Sequence, residues 1–185
     1  MEYYSLICHN SRTTFTRRLQ NKLFGNPLFP VAFNDISAKL DFNDFTPGDE
    51  IECDNNVMLK TILLDHPGLA VGYALYIGNK KICYITDTET QNIDFKQNIC
   101  NFVKDADICI YDSTFTDDEK PQHVGWKHSS WQDAVSVAKI SNVKKLVLFH
   151  HSPTRSSEEL DIIEKEAKSL YTHVIMAKEN MIFTL

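Results

Sequence analysis

The sequence predicts an α/β fold in which helices pack as layers against a β-sheet. Between residues 57 and 176, apolar runs rich in β-branched residues alternate with segments whose apolar side chains recur at helical spacing. The chain has 185 residues, 43% of them hydrophobic, and shows no internal repeat or linker, so its length suffices for one sizeable core. We therefore predict a single domain spanning residues 1–185.

The first part of the chain has the weaker patterns. Residues 11–24 place apolar side chains four positions apart, which predicts an amphipathic helix that begins at Ser11 or Thr13. Residues 25–53 are rich in proline and glycine, so we expect loops there, with short strands at most.

The strand patterns begin after this passage. Residues 57–64 are apolar and β-branched, which predicts a strand. Residues 71–77 and 81–86 have the same character and flank Gly78-Asn79, so we predict a hairpin with its turn at these two residues.

Further strands are predicted nearer the end of the chain. Residues 107–112 and 145–149 are short apolar runs, of which the first ends on Asp112 and the second is followed directly by His150-His151. Residues 173–177 and 181–184 flank Glu179-Asn180, which predicts that a second hairpin closes the chain.

Helices are predicted between these strands. Apolar residues recur at helical spacing over three segments, 95–106, 129–142 and 156–171. Ser130 and Asp133 have the spacing of a capping box at the start of the second segment, and Ser156 and Glu159 have it at the start of the third.

Composition excludes several classes of function. The net charge is -6 and the basic residues form only isolated pairs, which makes nucleic-acid binding unexpected. The five cysteines are odd in number and form no C-x-x-C motif, which favours reduced thiols in the cytoplasm. We expect neither a signal peptide nor a membrane span, because no apolar run approaches the ~20 residues that a span needs.

Potential metal ligands follow four of the predicted strands. The strand ends carry Asp65-His66, Asp87, Asp112 and His150-His151. Carboxylates and neutral imidazoles are ligands of zinc and similar ions, and strand ends can hold them at fixed separations. A single such residue is more often a surface group, a turn-former or a helix cap. Their repetition on successive strands favours a metal site.

The segments that carry these residues resemble a known family. "DHPGLAVGYALYIGNKKICYITDTE", "DICIYDSTF", "GWKHSSWQDAVSVAK" and "KKLVLFHHSP" occur in this order. Together they resemble the C-terminal half of a metallo-β-lactamase-fold hydrolase, in the branch of tRNase Z and the phosphodiesterase-like enzymes. The resemblance covers about residues 27–155 and implies part of an αββα sandwich that lacks its N-terminal half.

The resemblance implies a role for each ligand candidate. His66 matches the middle metal-binding histidine, Asp87 the aspartate that bridges two metals, and His150 the last metal-binding histidine. The implied cofactors are two divalent ions, with zinc favoured and manganese or iron also suited to these ligands. His151 is expected to point elsewhere.

A second pair of residues is implied to act in catalysis. His128 resembles the histidine of a Gly-His-Ser-Thr motif that assists proton transfer to the leaving group, and Asp112 is expected to orient it. Capping the following turn explains Asp112 equally well. The motif is altered here, because Lys127 stands where the family has glycine and Ser130 where it has threonine.

The family's first ligand cluster, His-x-His-x-Asp-His, does not occur in this sequence. Each ion would then have only two protein ligands, so we expect metal to be weakly held or absent in this chain alone. We also expect an exposed apolar sheet surface. A complementary N-terminal chain or a homo-oligomer is therefore the expected partner.

The preferred function is metal-dependent cleavage of a small nucleotide-type phosphodiester once the site is completed. Transfer RNA is a less favoured substrate, because a tight hairpin fills the interval in which tRNase Z carries its RNA-gripping arm. The alternative is a non-catalytic remnant or interaction module without metal. A weaker alternative is a serine hydrolase that uses Ser129 or Ser130 with His128, but the G-x-S-x-G motif is absent.

Overall fold

A computed structural model describes residues 3–9, 35, 39–53 and 56–185, with the backbone alone over 3–9 and 39–44. The chain divides into two compact units, residues 1–49 and 50–185. In the first unit, strands β1 (Tyr3–His9) and β2 (Lys39–Phe45) pair in parallel. The helix predicted over residues 11–24 lies outside the described residues. The single-domain organisation stays a prediction.

The second unit contains a seven-stranded sheet whose spatial order follows the chain order. Its strands are β3 (Glu50–Cys53), β4 (Val57–Leu63), β5 (Val71–Ile77), β6 (Lys80–Ile85), β7 (Ile108–Asp112), β8 (Leu146–Phe149) and β9 (Val174–Met176). Strands β3 to β6 pair antiparallel, and β6 to β9 pair parallel. Because two reversals separate β4 from β6, strands β4, β6, β7 and β8 all point the same way. Their carboxyl ends therefore meet at one edge of the sheet.

Within the described residues of the second unit, three helices and a short 3-10 helix connect the strands. They are α1 (Ile93–Val103), the 3-10 helix (Lys120–His123), α2 (Trp131–Ile140) and α3 (Ser157–Leu170). Both predicted capping boxes are confirmed. The Ser130 hydroxyl accepts the Asp133 N–H at 3.1 Å, and the Ser156 hydroxyl accepts the Glu159 N–H at 3.2 Å. These bonds satisfy donors that the first turn would otherwise leave unpaired.

The core lies between the helices and one face of the sheet. A row of small and branched side chains runs across five strands in register and is buried in each: Ala74, Cys83, Cys109, Leu146 and Val174. Helix α2 packs on this face through Ala134, Val137 and Ala138. Burial raises the pKa of the Cys83 thiol to about 12, so this cysteine is held as an unreactive thiol.

The opposite face of the sheet is also apolar. Leu59, Leu75, Ile82 and Ile108 follow one another in register across β4 to β7. Farther along the same face, the rings of Tyr84 and Phe149 lie 6.0 Å apart and are exposed to 38% and 37%. Apolar residues on both faces are typical of a sheet that is covered on both sides.

The hairpin at Gly78-Asn79 is confirmed, with Gly78 at a φ of 59°. The second predicted hairpin is wrong. The chain turns at Glu179-Asn180, but residues 181–184 form no strand, and among the described strands β9 pairs with β8 alone, in parallel. This apolar segment gains little burial, since Met181 is 41% and Ile182 91% exposed.

No helix in the described part of the chain combines the length and the apolar character needed to cross a bilayer.

Candidate metal centre

The carboxyl edge of the sheet brings the predicted site residues together. His66 follows β4, Asp87 follows β6, Asp112 ends β7 and His150 follows β8. His128 reaches the same place from the loop that precedes α2. The convergence that the strand-end pattern predicted is therefore present, while the role of each residue as a ligand or catalyst stays a prediction.

Asp112 is the buried anchor of this edge. Its side chain is fully buried, and its two oxygens accept four hydrogen bonds. Oδ1 accepts the Thr114 N–H at 3.1 Å and the Thr114 hydroxyl at 2.8 Å. Oδ2 accepts the Asp87 N–H at 3.0 Å and His128 Nδ1–H at 2.9 Å. A buried carboxylate is costly without such partners, and here they fix two site residues in place.

The imidazole of His128 is oriented by that bond. Because Nδ1 donates to Asp112, the other ring nitrogen, Nε2, is directed away from that carboxylate. Asp112 also raises the pKa of His128 above its ordinary value through this hydrogen bond, against the opposing effect of burial.

The other two imidazoles are held in the same manner. His66 Nδ1 donates to the Pro67 carbonyl at 2.8 Å, and His150 Nδ1 lies 3.0 Å from the Thr114 hydroxyl oxygen. In both rings Nε2 is left to bind something else. Hydrogen bonds from Nδ1 to oxygen are the usual supports of histidines that bind metals through Nε2.

Asp87 occupies the middle of the three rings. Its Oδ1 lies 3.5 Å from His150 Nε2 and 3.9 Å from His128 Nδ1. The ring of His128 lies 5.6 Å from that of His66 and 5.0 Å from that of His150, centroid to centroid. Asp87 and His150 both have positive φ angles, 59° and 60°, an uncommon conformation that is concentrated at functional sites.

Two groups of potential ligand atoms arise from this packing within the described residues. The ligand atoms of His66, Asp87 and His128 all lie within 4.8 Å of one another, and so do those of Asp112, His128 and His150. His128 belongs to both groups. The donor set of imidazole nitrogens and a carboxylate oxygen fits a divalent transition metal.

Lys127 is a part of the site that the sequence analysis did not identify as functional. Its ammonium lies 3.1 Å from Asp65 Oδ2 and 3.1 Å from Glu89 Oε2. These acids neighbour His66 and Asp87 in the chain, so one ammonium ties together the three loops that carry His66, Asp87 and His128. Lys127 has a φ of 61°, which is costly for a lysine. The only signal in the sequence was a lysine where the family has glycine.

Other histidines lie outside both groups. His151 contacts the Ser113 hydroxyl and the Ala177 carbonyl, each at 3.4 Å, and burial lowers its pKa. His123 donates to the Glu119 carbonyl at 2.9 Å and stacks on Phe115. Ser129, considered above as a nucleophile, is buried and donates to the Thr88 carbonyl at 2.7 Å. These groups have structural partners.

Comparison with known proteins identifies the family of this chain. The model of the β-lactamase superfamily domain matches residues 27–151, which include all of the predicted site residues. The chain belongs to the β-lactamase superfamily. The expected superfamily and α/β fold class are thereby confirmed.

Relatives of this superfamily member include ribonuclease Z proteins. Ribonuclease Z of Lactobacillus helveticus is 33% identical over 82 residues, which is 44% of this chain and 26% of that protein. Ribonuclease Z of Sulfurisphaera tokodaii is 39% identical over 82 residues, 44% of this chain and 27% of the relative. The chain thus covers about a quarter of the length of these curated relatives.

Solved structures of the superfamily share the fold. The metallo-β-lactamase fold protein YhfI from Bacillus subtilis has a TM-score of 0.72 at 18% identity, and the match covers 97% of this chain and 65% of that one. The short form of human tRNase Z has a TM-score of 0.57 at 20% identity, over 83% and 54% of the two chains.

Proposed function

We propose that this chain supplies part of a metal-dependent hydrolase that cleaves a small nucleotide-type phosphodiester. The observation that carries the proposal is the arrangement of His66, His128 and His150 around Asp87. Each ring uses Nδ1 for its hydrogen bond, to the Pro67 carbonyl, the Asp112 carboxylate or the Thr114 hydroxyl, and leaves Nε2 for another partner. His66, Asp87 and His150 would hold divalent ions. Ions bound there supply hydroxide at neutral pH and stabilise negative charge on phosphoryl oxygens.

His128 is proposed as the proton donor. Its raised pKa increases the fraction that is protonated near neutral pH, and Asp112 holds the Nδ1 proton. The Nε2 proton then passes to the departing alkoxide oxygen. Asp112 acts through His128 and is a positioning residue.

Completion of the site is proposed to need a second polypeptide that carries the His-x-His-x-Asp-His ligands. The apolar face of the sheet around Leu59, Leu75 and Ile82 suits such a partner, because sandwiched sheets bury apolar rows against each other. A homo-oligomer could cover this face but could not supply the motif, which the sequence does not contain.

The short connection between His66, which follows β4, and Asp87, which follows β6, favours a small substrate. Strands β5 and β6 are joined directly at Gly78-Asn79, so this interval has no extension that could grip a large RNA. The acidic net charge of -6 agrees with this preference.

The test mixes this chain with a polypeptide that contains the His-x-His-x-Asp-His motif, encoded directly upstream where such a reading frame exists. We expect two metal equivalents and hydrolysis of bis(p-nitrophenyl) phosphate only in the mixture. His150→Ala in this chain should abolish the hydrolysis. A metal-loaded mixture without hydrolysis would contradict the proposal, and a mixture that binds no metal would favour the alternative of an interaction module.

A further inference from the structure

We propose that this chain binds one divalent transition-metal ion by itself, with His66, Asp87 and His128 as its three protein ligands. The proposal concerns the same edge of the sheet as the proposed hydrolase and shares His66 and Asp87 with it, but it needs neither a second polypeptide nor a substrate and can be tested separately. It also gives His128 a role that the resemblance does not imply.

Proximity is the first argument. One potential ligand atom from each of the three residues lies within 4.8 Å of the other two. Ligand atoms around a tetrahedral zinc are separated by about 3.3 Å, as follows from bond lengths of about 2.0–2.2 Å. A closure of roughly 1–2 Å, with the His66 and His128 rings turned so that Nε2 faces Asp87, would bring one ligand atom of each residue into a coordination sphere.

Orientation is the second argument. His66 Nδ1 donates to the Pro67 carbonyl, and His128 Nδ1 donates to the buried Asp112 carboxylate. Both rings are therefore held as the tautomer whose Nε2 carries a lone pair. A carboxylate behind a histidine is the support found for zinc-bound imidazoles, since it fixes the ring and increases its basicity.

The number of ligands is the third argument. His66 and Asp87 alone would give an ion two protein ligands, whereas His128 raises the number to three, which is the usual set of a catalytic zinc site. The second group of ligand atoms does not offer an equivalent place. It depends on Asp112, whose oxygens already accept four hydrogen bonds. One ion is therefore expected, not two.

The same geometry has a consequence for catalysis. Nε2 of His128 cannot hold a proton and bind a metal at the same time. The single-ion state therefore excludes His128 as a proton donor. Ligands from a second polypeptide would have to displace His128 from the ion before it could serve in that role.

The experiment titrates Co2+ into the full chain after removal of metals with a chelator. We expect visible absorption bands of four-coordinate Co2+ that saturate at one equivalent. His128→Asn is the main variant, because asparagine can keep a hydrogen bond to Asp112 but lacks Nε2. It should weaken Co2+ binding at least tenfold and alter the bands. His123→Ala is the matched control, since His123 belongs to neither ligand group, and it should bind as the unmodified chain does.

A second measurement on the unmodified chain is independent of any variant. With 15N-labelled histidines, Zn2+ should shift the Nε2 resonances of His66 and His128 and leave those of His151 unchanged. Binding of no ion, binding of two ions, equal affinity in His128→Asn, or an unshifted His128 resonance would each overturn the proposal.

Failure of this inference can be distinguished from failure of the proposed hydrolase function. A chain that binds no Co2+ alone but is active with its complement would refute this inference and support the proposed function. A chain that binds one ion through His128 but is inactive in the mixture would do the reverse.

Discussion

Strand β7 has an aspartate at each end, and the two have different surroundings. Asp107 precedes the strand. It accepts the Lys81 N–H at 2.9 Å and the Lys144 ammonium at 2.9 Å, and the Lys80 ammonium lies 3.7 Å away. Asp112 ends the strand and accepts bonds from an imidazole, a hydroxyl and two backbone amides. The aspartate at the amino end of β7 thus lies among lysines, and the aspartate at its carboxyl end lies among imidazoles.

The two aspartates differ in whether their hydrogen-bond partners can bind a further group. The ammonium groups of Lys80 and Lys144 beside Asp107 are exposed, and the Asp107 carboxylate balances their charge, so this carboxylate stabilises the fold. The imidazole held by Asp112 keeps one nitrogen for another partner. Strand β7 therefore has a carboxylate paired with lysines at its amino end and a carboxylate that orients an imidazole at its carboxyl end.

The largest expected effect is a difference in the free energy of unfolding between variants of the two aspartates. Asp112→Ala should lower the free energy of unfolding by about 3 kcal/mol or more, because it leaves several buried donors without an acceptor. Asp107→Ala should cost about 1 kcal/mol or less, because water can solvate the lysines that it releases. Urea unfolding at neutral pH measures both values. Equal losses would remove the distinction between the edges.

The next effect concerns metal affinity. Asp112→Asn should weaken Co2+ binding by about tenfold to a hundredfold, the usual cost of losing a carboxylate behind a metal-bound histidine. Asp107→Asn should leave the dissociation constant unchanged. Titration of the two variants side by side makes the comparison, and a matching loss in Asp107→Asn would show that the affinity follows general stability.

Lys127 sharpens the comparison, because it is a lysine at the carboxyl edge of the sheet, beside the candidate metal centre. Lys127→Met should weaken Co2+ binding several-fold, since it releases the loops of His66 and Asp87 from a shared cation. Lys127→Gly should be about 1 kcal/mol more stable than Lys127→Met, because glycine has no penalty at a φ of 61°. Thermal unfolding of the pair tests the sign. A less stable glycine variant would contradict the strain argument.

The smallest effect is the pH dependence of the structural edge. The Lys144 hydrogen bond, followed by the bond from the Lys81 N–H, lowers the pKa of Asp107. The stabilisation from this carboxylate is therefore fully present above its unfolded pKa of about 3.9 and is lost as the pH falls through the lower folded value. The unfolding temperatures of the unmodified chain and Asp107→Asn should converge between pH 5 and pH 2. A constant difference over this range would argue against the shift.

Local patterns were sufficient to predict much of the fold. Ser130 with Asp133, and Ser156 with Glu159, predicted two helix starts because a capping box is contained in four consecutive residues. The meeting of His66, Asp87 and His150 at one edge was predicted from strand ends. The failure at residues 181–184 has the opposite cause, because a strand also needs a neighbour and a surface, and neither is encoded in the segment itself.

The finer geometry of the site could not be read from the sequence. The bonds from His66 to Pro67 and from His150 to Thr114 depend on ring rotation after the strands have paired. The contacts of Lys127 with Asp65 and Glu89 join distant parts of the chain. Such contacts arise from tertiary packing, for which a single sequence holds no local signal.

The shared direction of β4, β6, β7 and β8 has a consequence for the order of events during folding. The three residues proposed to grip the ion come from distant loops, so no locally formed hairpin or helix can capture it. Long loops must close before the pocket exists, which makes its assembly slow and late. The gain of the Co2+ spectrum during refolding would thus time the completion of the sheet.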